Sequence, residues 1–305
     1  MTSRDDTVSS GRGILAAGGS YLIWGVLPVY WKLLDQVDSL YILAHRMFWS
    51  LLVTVLLLLL LGKLTGLRAL FADRRVVAGS TFSGMLLGVN WFIYIWAVNS
   101  GHIVEASLGY YINPLVTVVL AVLVLRERLR LGQIGALALA VCGVVYLTVV
   151  YGRFPWIALT LAMTFAVYGL LHKTTRVAPL EGLFVETLVF LIPAGVLVFY
   201  NELSGTGVFF SGGWQRAALL AATGVITTVP LLLFAYAAHS IRLSLLGILQ
   251  YLAPTLNLLI GVFIYQEDFP WSRAVGFFMV WGALLVFLGE SLLNRVRLKK
   301  ARLSR

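Results

Sequence analysis

Ten stretches of mostly apolar residues follow one another along the chain, at 13–34, 40–61, 76–98, 103–125, 131–151, 155–172, 180–200, 215–238, 243–265 and 271–293. Only short breaks carrying charge, glycine or proline separate them. About 20 apolar residues in a helix cross the roughly 30 Å hydrocarbon layer of a bilayer. Inside that layer the backbone must satisfy its own hydrogen bonds, which leaves helices and closed barrels. The chain therefore reads as an all-α polytopic membrane protein with ten transmembrane helices. A soluble chain of 305 residues would not combine 12% charged residues with a mean hydropathy of +0.92. Little sequence is left for a soluble domain. No leader with a cleavage site precedes the first stretch, so that stretch itself would target the chain. One cysteine, Cys142, allows no intrachain disulfide.

Lysine and arginine set the expected orientation. With the N-terminus inside, eighteen of them fall on the cytoplasmic side and four (Lys32, Arg153, Arg216 and Arg273) outside; Arg46 lies within a span. That bias follows the positive-inside rule and places both termini in the cytoplasm. It also accounts for the net charge of +10 without nucleic acid, since the basic residues sit at helix ends and in the tail.

The segment GYYINPLVTVVLAVLVLRE, starting at Gly109, has an echo in LQYLAPTLNLLIGVFIYQE, starting at Leu249. At an offset of 140 residues Tyr111 matches Tyr251, Pro114 matches Pro254 and Glu127 matches Glu267. The register runs back without a gap to Gly84 and Gly224, through Ala97/Ala237 and Ser100/Ser240. A constant offset across two helices and their loop marks an internal repeat. It maps spans one to five onto six to ten. Five is odd, so the second unit enters the membrane from the opposite face. This is the inverted repeat by which many secondary transporters frame one central site. The expected layout is a cytoplasmic tail at 1–12, a first five-helix unit at 13–151, a second at 155–293 and a basic cytoplasmic tail at 294–305.

The segments AHRMFWSLLV, NWFIYIWAVNSGHIVEASLGYYINPL, LRERLR, YGLLHK, LFVETLVFLIP and LGILQYLAPTLNLLIGVFIYQE resemble the RarD branch of the EamA drug/metabolite transporter superfamily. The resemblance covers roughly residues 13–293. It implies ten spans, a central cavity between two five-helix halves, and movement of small metabolites or drugs across a bacterial inner membrane. The branch is linked by name to chloramphenicol sensitivity; the resemblance supplies no natural substrate. Asp268 stands where the family pattern has a proline, which puts only the local turn in doubt.

Candidate site residues come from the midplane and from two charged layers. Pro114 and Pro254 lie about a dozen residues into their spans, where each would kink the helix and free the carbonyl four residues earlier. The helix faces around them carry Tyr110, Asn113 and Thr117 in one half and Gln250, Tyr251 and Asn257 in the other. Polar groups at this depth face protein or a water-filled cavity. Two readings stand: a binding face, or kinks held by interhelical hydrogen bonds. Asn90 and Tyr94, with Trp24, Tyr168 and Tyr236, would add the aromatic wall suited to a planar, partly apolar solute. Trp31 and Trp271 read instead as headgroup-belt residues. The outer charged layer holds Lys32, His45, Arg46, His102 and Glu105, and the inner one His172, Lys173, Glu186, His239 and Arg242. Pairing Arg46 with Glu105 outside, and Glu186 with Arg242 or Lys173 inside, would make either gates or static ion pairs. Glu127 and Glu267 read as solvated ends.

The four histidines have no metal-ligand spacing and no phosphate-binding loop is present, so neither a metal, a cofactor nor direct ATP drive is expected. No nucleophile–base pair stands at a recognisable spacing, which argues against an enzyme. The function expected is a secondary transporter, a permease for a small, partly apolar organic solute working by alternating access. An integral-membrane enzyme, a non-transporting receptor or scaffold, and an open channel remain as rivals. The expected partners are the bilayer and the solute, with a homodimer left open.

Overall fold

A computed structural model describes residues 3–303 apart from 126–128, 130, 153, 175–176 and 242–248. Side chains are described at these positions except 3–10, 65–66, 68–69, 121, 125, 151, 172–174, 179, 235, 238–239, 288 and 291–303. Among the described residues the regular elements are helical: α1 (Ser3–Lys32), α2 (Ser39–Leu60), α3 (Leu64–Ala72), α4 (Arg74–Asn99), α5 (Ile103–Leu125), α6 (Leu131–Tyr151), α7 (Trp156–Thr174), α8 (Pro179–Leu188), α9 (Leu191–Leu203), α10 (Gly213–Ser240), α11 (Leu252–Leu259), continued by one π-helical turn (Ile260–Ile264), and α12 (Trp271–Leu303).

 Among the described residues six helices are long and apolar enough to cross a membrane, and a seventh span forms if α8 and α9 are taken together. Shorter apolar helices cover Trp156–Leu171, Leu252–Ile264 and Trp271–Phe287. Exposed leucine, valine and phenylalanine side chains, among them Leu15, Leu60, Val149 and Phe199, form an outer surface that suits hydrocarbon rather than water.

Helix starts follow local chemistry. The Asp38 carboxylate accepts from the backbone N–H groups of Leu40 (2.9 Å) and Tyr41 (3.1 Å) to start α2, and Asp73 does the same for Arg75 and Val76 at the head of α4. The tight link between α4 and α5 turns at Gly101, whose φ of +72° suits a residue without a β-carbon. Three features differ from the sequence expectation. The link between the second and third spans contains a helix, α3. The seventh span, expected unbroken over 180–200, is bent by 52° between α8 and α9. Pro193 explains the bend: it has no N–H for the Val189 carbonyl, so it fits the first turn of a new helix better than the middle of an old one. Pro254 likewise does not kink a described helix. Gln250 and Tyr251 form a turn, and Pro254 lies in the first turn of α11 (Leu252–Leu259). Pro114, by contrast, lies inside α5 as expected.

The packing pairs α1 with α10 and α11, and α7 with α4 and α5. It sets α2 against α10, α8 and α9, sets α4 against α8, and joins α5 to α11 and α6 to α12. Two glycines let helices approach closely. A β-carbon on Gly84 would lie 2.9 Å from the Glu186 carbonyl oxygen, and one on Gly224 would lie 2.5 Å from the Trp49 backbone. Between apolar helices in lipid such close contact replaces the hydrophobic driving force available in water. One core cluster includes Trp31, Ile42, Trp91, Tyr94, Ile157 and Leu183; a second, around α5, α6, α11 and α12, includes Tyr111, Leu147, Leu258 and Phe277.

Candidate functional site: a buried cation and a run of aromatic rings

Arg46, on α2, is 3% exposed. Its guanidinium carbon lies 3.8 Å from the centre of the Trp91 ring and 5.2 Å from that of Trp31. Tyr110, Tyr94 and Tyr30 are its titratable neighbours. Its Nε and Nη1 have no hydrogen-bond partner among the described residues. The expected Arg46–Glu105 pair is therefore not formed: the guanidinium stacks on indoles. Glu105 is buried on the first turn of α5. Trp31, read from sequence as a belt residue, is fully buried and forms part of this cage.

From Arg46 a succession of rings leads across α4, α5 and α7. Tyr94 meets Tyr110 at 5.6 Å, Tyr110 meets Phe165 at 6.3 Å, and Phe165 meets Tyr168 at 5.8 Å between centroids. The Tyr110 hydroxyl donates to Asn90 Oδ1 (3.3 Å), and Asn90 Nδ2 donates to the Leu161 carbonyl (3.0 Å) and Thr164 Oγ1 (2.9 Å). Asn90 thus ties α4, α5 and α7 together. At the far end the Tyr168 hydroxyl donates to Glu186 Oε2 (3.3 Å), and Ser83 Oγ donates to Oε1 (3.0 Å). Arg46 and Glu186, 140 residues apart in the sequence, stand at the two ends of one aromatic path. Beside it the Tyr94 hydroxyl and the Asn257 side chain approach each other, yet neither the hydroxyl nor Asn257 Oδ1 makes a well-formed hydrogen bond among the described residues.

The other candidates scatter. Tyr251 stacks on Tyr111 (6.2 Å, 14° between planes), and Tyr111 shares a hydrogen bond of 2.7 Å with Thr255. Trp24 packs against Tyr21 and Phe234, and borders both the small cluster of α1 and α10 and the core cluster that holds Trp31 and Tyr94. Asn113 is buried and bonded to Thr117, whose own side chain is exposed, so the pair turns back on α5. Tyr236 is 49% exposed on α10. Gln250 precedes α11 in a turn, so it does not share a continuous helix face with Pro254 and Asn257.

Of the residues expected in the outer layer, Lys32 donates to the Asn99 carbonyl (3.2 Å) and lies 5.5 Å over the Tyr265 ring, while His102 stacks on Trp96. The inner pairing of Glu186 with Arg242 or Lys173 falls outside the described residues: Arg242 wholly, Lys173 by its side chain.

Glu267 departs from its reading as a solvated end. Its carboxylate accepts from the N–H groups of Ile103 (2.6 Å) and Val104 (2.8 Å), capping α5 from across the bundle. Gln266, with φ of +53°, turns the chain just before it. Glu127, the other carboxylate read as a solvated end, lies outside the described residues. Sequence reasoning also missed Glu202, which accepts from Tyr41 and from the backbone of Phe209 (2.9 Å), holding the loop between α9 and α10. In both cases a carboxylate beyond an apolar run was the only signal. A hollow of about 680 Å3 bordered by Leu40, Met85, Val89, Phe92, Trp96 and Trp156 is apolar, and its lining includes none of the polar groups above.

A bundle of apolar helices with polar side chains turned inward defines a polytopic membrane protein. Residues 11–149 match the model of the EamA-like transporter family. The chain is 43% identical over 291 residues to the protein RarD of Streptomyces exfoliatus, covering 95% of this chain and 92% of that one. It is 42% identical over 281 residues to the uncharacterized transporter YojE of Bacillus subtilis strain 168, covering 90% and 93%. A solved crystal structure, 20% identical and covering 93% of this chain and 98% of that one, shares the fold with a TM-score of 0.61. The chain belongs to the EamA-like transporter family, in its RarD branch.

Proposed function

We propose that this protein is a secondary carrier that moves a small, partly apolar organic metabolite or drug across a bacterial inner membrane by alternating access. In this reading ten spans form two inverted five-helix units, 13–151 and 155–293, with both termini in the cytoplasm. The observation that carries it is the exchange of packing partners under the 140-residue offset. Helices α6 and α12 are equivalents and pack together, as do α5 and α11, and as do α2 and the bent pair α8–α9. The pairing of α1 with α10 answers that of α7 with α4. Contact between equivalent residues, such as Tyr111 on Tyr251, is what a two-fold axis between the units would give. Buried polar groups along the aromatic path from Arg46 to Glu186 supply a lining that a purely structural bundle in lipid has little reason to keep.

The test is counterflow in proteoliposomes. Vesicles loaded with a candidate solute, selected by thermal-shift screening of metabolites, should take up labelled solute saturably and faster than unloaded ones. Uptake linear in concentration with no stimulation from the far side would point to a channel; binding without flux would point to a receptor. Either result would remove the carrier reading.

A further inference from the structure

Arg46 is the group in this structure whose chemistry is least complete. A buried cation in a membrane-spanning helix is costly unless something answers its charge. The two indoles do so only in part. A ring attracts the cation through its π-face, but an indole offers no acceptor for the N–H groups at the guanidinium edge. Nε and Nη1 have no hydrogen-bond partner among the described residues. The titratable groups described around it are the phenols of Tyr110, Tyr94 and Tyr30, which carry no charge at neutral pH. The Tyr94 hydroxyl and Asn257 Oδ1 stand unsatisfied nearby, the hydroxyl being a donor by nature. Flat aromatic surface surrounds an edge of unused donors.

We propose that Arg46 recognises the solute, and that the solute is an organic anion with a flat apolar body, its carboxylate meeting the guanidinium edge between Trp31, Trp91 and Tyr94. This rests on the carrier reading for the word solute, but the binding chemistry stands apart from transport. A carboxylate supplies the missing charge and the missing acceptors together, and charge-assisted hydrogen bonds of this kind are the strong ones. The apolar body would lie against rings that already stack. In the present form the cage is closed over the guanidinium, so the solute enters only when the surrounding helices part. Arg46 is then a binding residue rather than half of a gate.

The test uses the full chain in lipid nanodiscs, with benzoate and its neutral counterpart benzamide as probes. Tryptophan fluorescence reads the response, and the part of the shift lost in Trp91→Phe belongs to the cage, since Trp31 and Trp91, two of the chain's nine tryptophans, face Arg46. Benzoate should shift the fluorescence and raise the melting temperature, and benzamide should bind about tenfold more weakly or worse, the loss expected for a charge-assisted bond. Arg46→Met should abolish the difference between the probes and, without any probe, melt at a higher temperature than the wild type, because an uncompensated charge has gone. Equal responses to the two probes in the wild-type chain would overturn the proposal, and that comparison needs no variant to fold. A benzoate preference surviving in Arg46→Met, or a lower melting temperature for that variant without probe, would also overturn it by making the charge structural. Anion preference without counterflow would sink the carrier reading alone; counterflow with equal probe responses would sink this inference alone.

Discussion

Replacing Glu267 by alanine removes the carboxylate that accepts from the first backbone N–H groups of α5. Two backbone N–H groups, those of Ile103 and Val104, then lose acceptors at 2.6 and 2.8 Å. A helix cap is worth about 0.5–2 kcal/mol, and a carboxylate at a helix N-terminus adds about 0.3–1 kcal/mol through the macrodipole. Glu267 is only half-buried, so water replaces part of the loss. The expected cost is about 2 kcal/mol for Glu267→Ala and about 1 kcal/mol for Glu267→Gln, which keeps an acceptor but not the charge. In thermal unfolding of the purified protein in detergent, the alanine variant should melt about 4–6 °C lower, with the glutamine variant between it and wild type. Hydrogen exchange should speed up at the amides of Ile103 and Val104 before it does in the middle of α5. An alanine variant melting within about 1 °C of wild type, with those two amides still protected, would refute the capping argument.

Gly224→Ala should cost about 2–3 kcal/mol, since its β-carbon would sit 2.5 Å from the Trp49 backbone, whereas Gly195→Ala meets nothing within 4 Å and should be neutral or slightly stabilising; equal melting temperatures for the two variants would contradict the packing described. Tyr94→Phe removes a buried hydroxyl without a partner among the described residues, so the empty protein should melt at or above the wild-type temperature, by up to about 1 kcal/mol in stability; a clear drop would mean that the hydroxyl is satisfied. Ser83→Ala deletes a 3.0 Å hydrogen bond to Glu186 and should destabilise by about 1–2 kcal/mol, measured by the same melting assay, while an unchanged melting temperature would show that the carboxylate does not depend on it.

The helices were legible because lipid leaves few alternatives: a run such as 40–61 with no charge but Arg46 can only be a helix, and α2 covers nearly that range. Gly84 and Gly224 were legible only as an identity at the 140-residue offset, and the structure shows a close helix approach at each. Breaks inside spans were less legible. Pro114 and Pro193 look alike in sequence, yet one sits within a helix and the other restarts one. What differs is whether neighbouring helices can hold the chain straight past the missing hydrogen bond.

Side-chain partnership was the least legible of all. Sequence depth put Arg46 and Glu105 in one layer, but depth carries no information on rotation about the helix axis. Which neighbour a side chain meets depends on that rotation and on which helices flank it. So the sequence by itself determined an apolar, helical, membrane-spanning chain, because hydrophobic length is a property of order along the chain. Tertiary structure alone decided that Arg46 lies on Trp31 and Trp91, that Glu267 caps a helix 163 residues away, and that Thr117 and Tyr236 turn outward. Those are properties of helix rotation and packing in three dimensions, which no spacing in the sequence encodes.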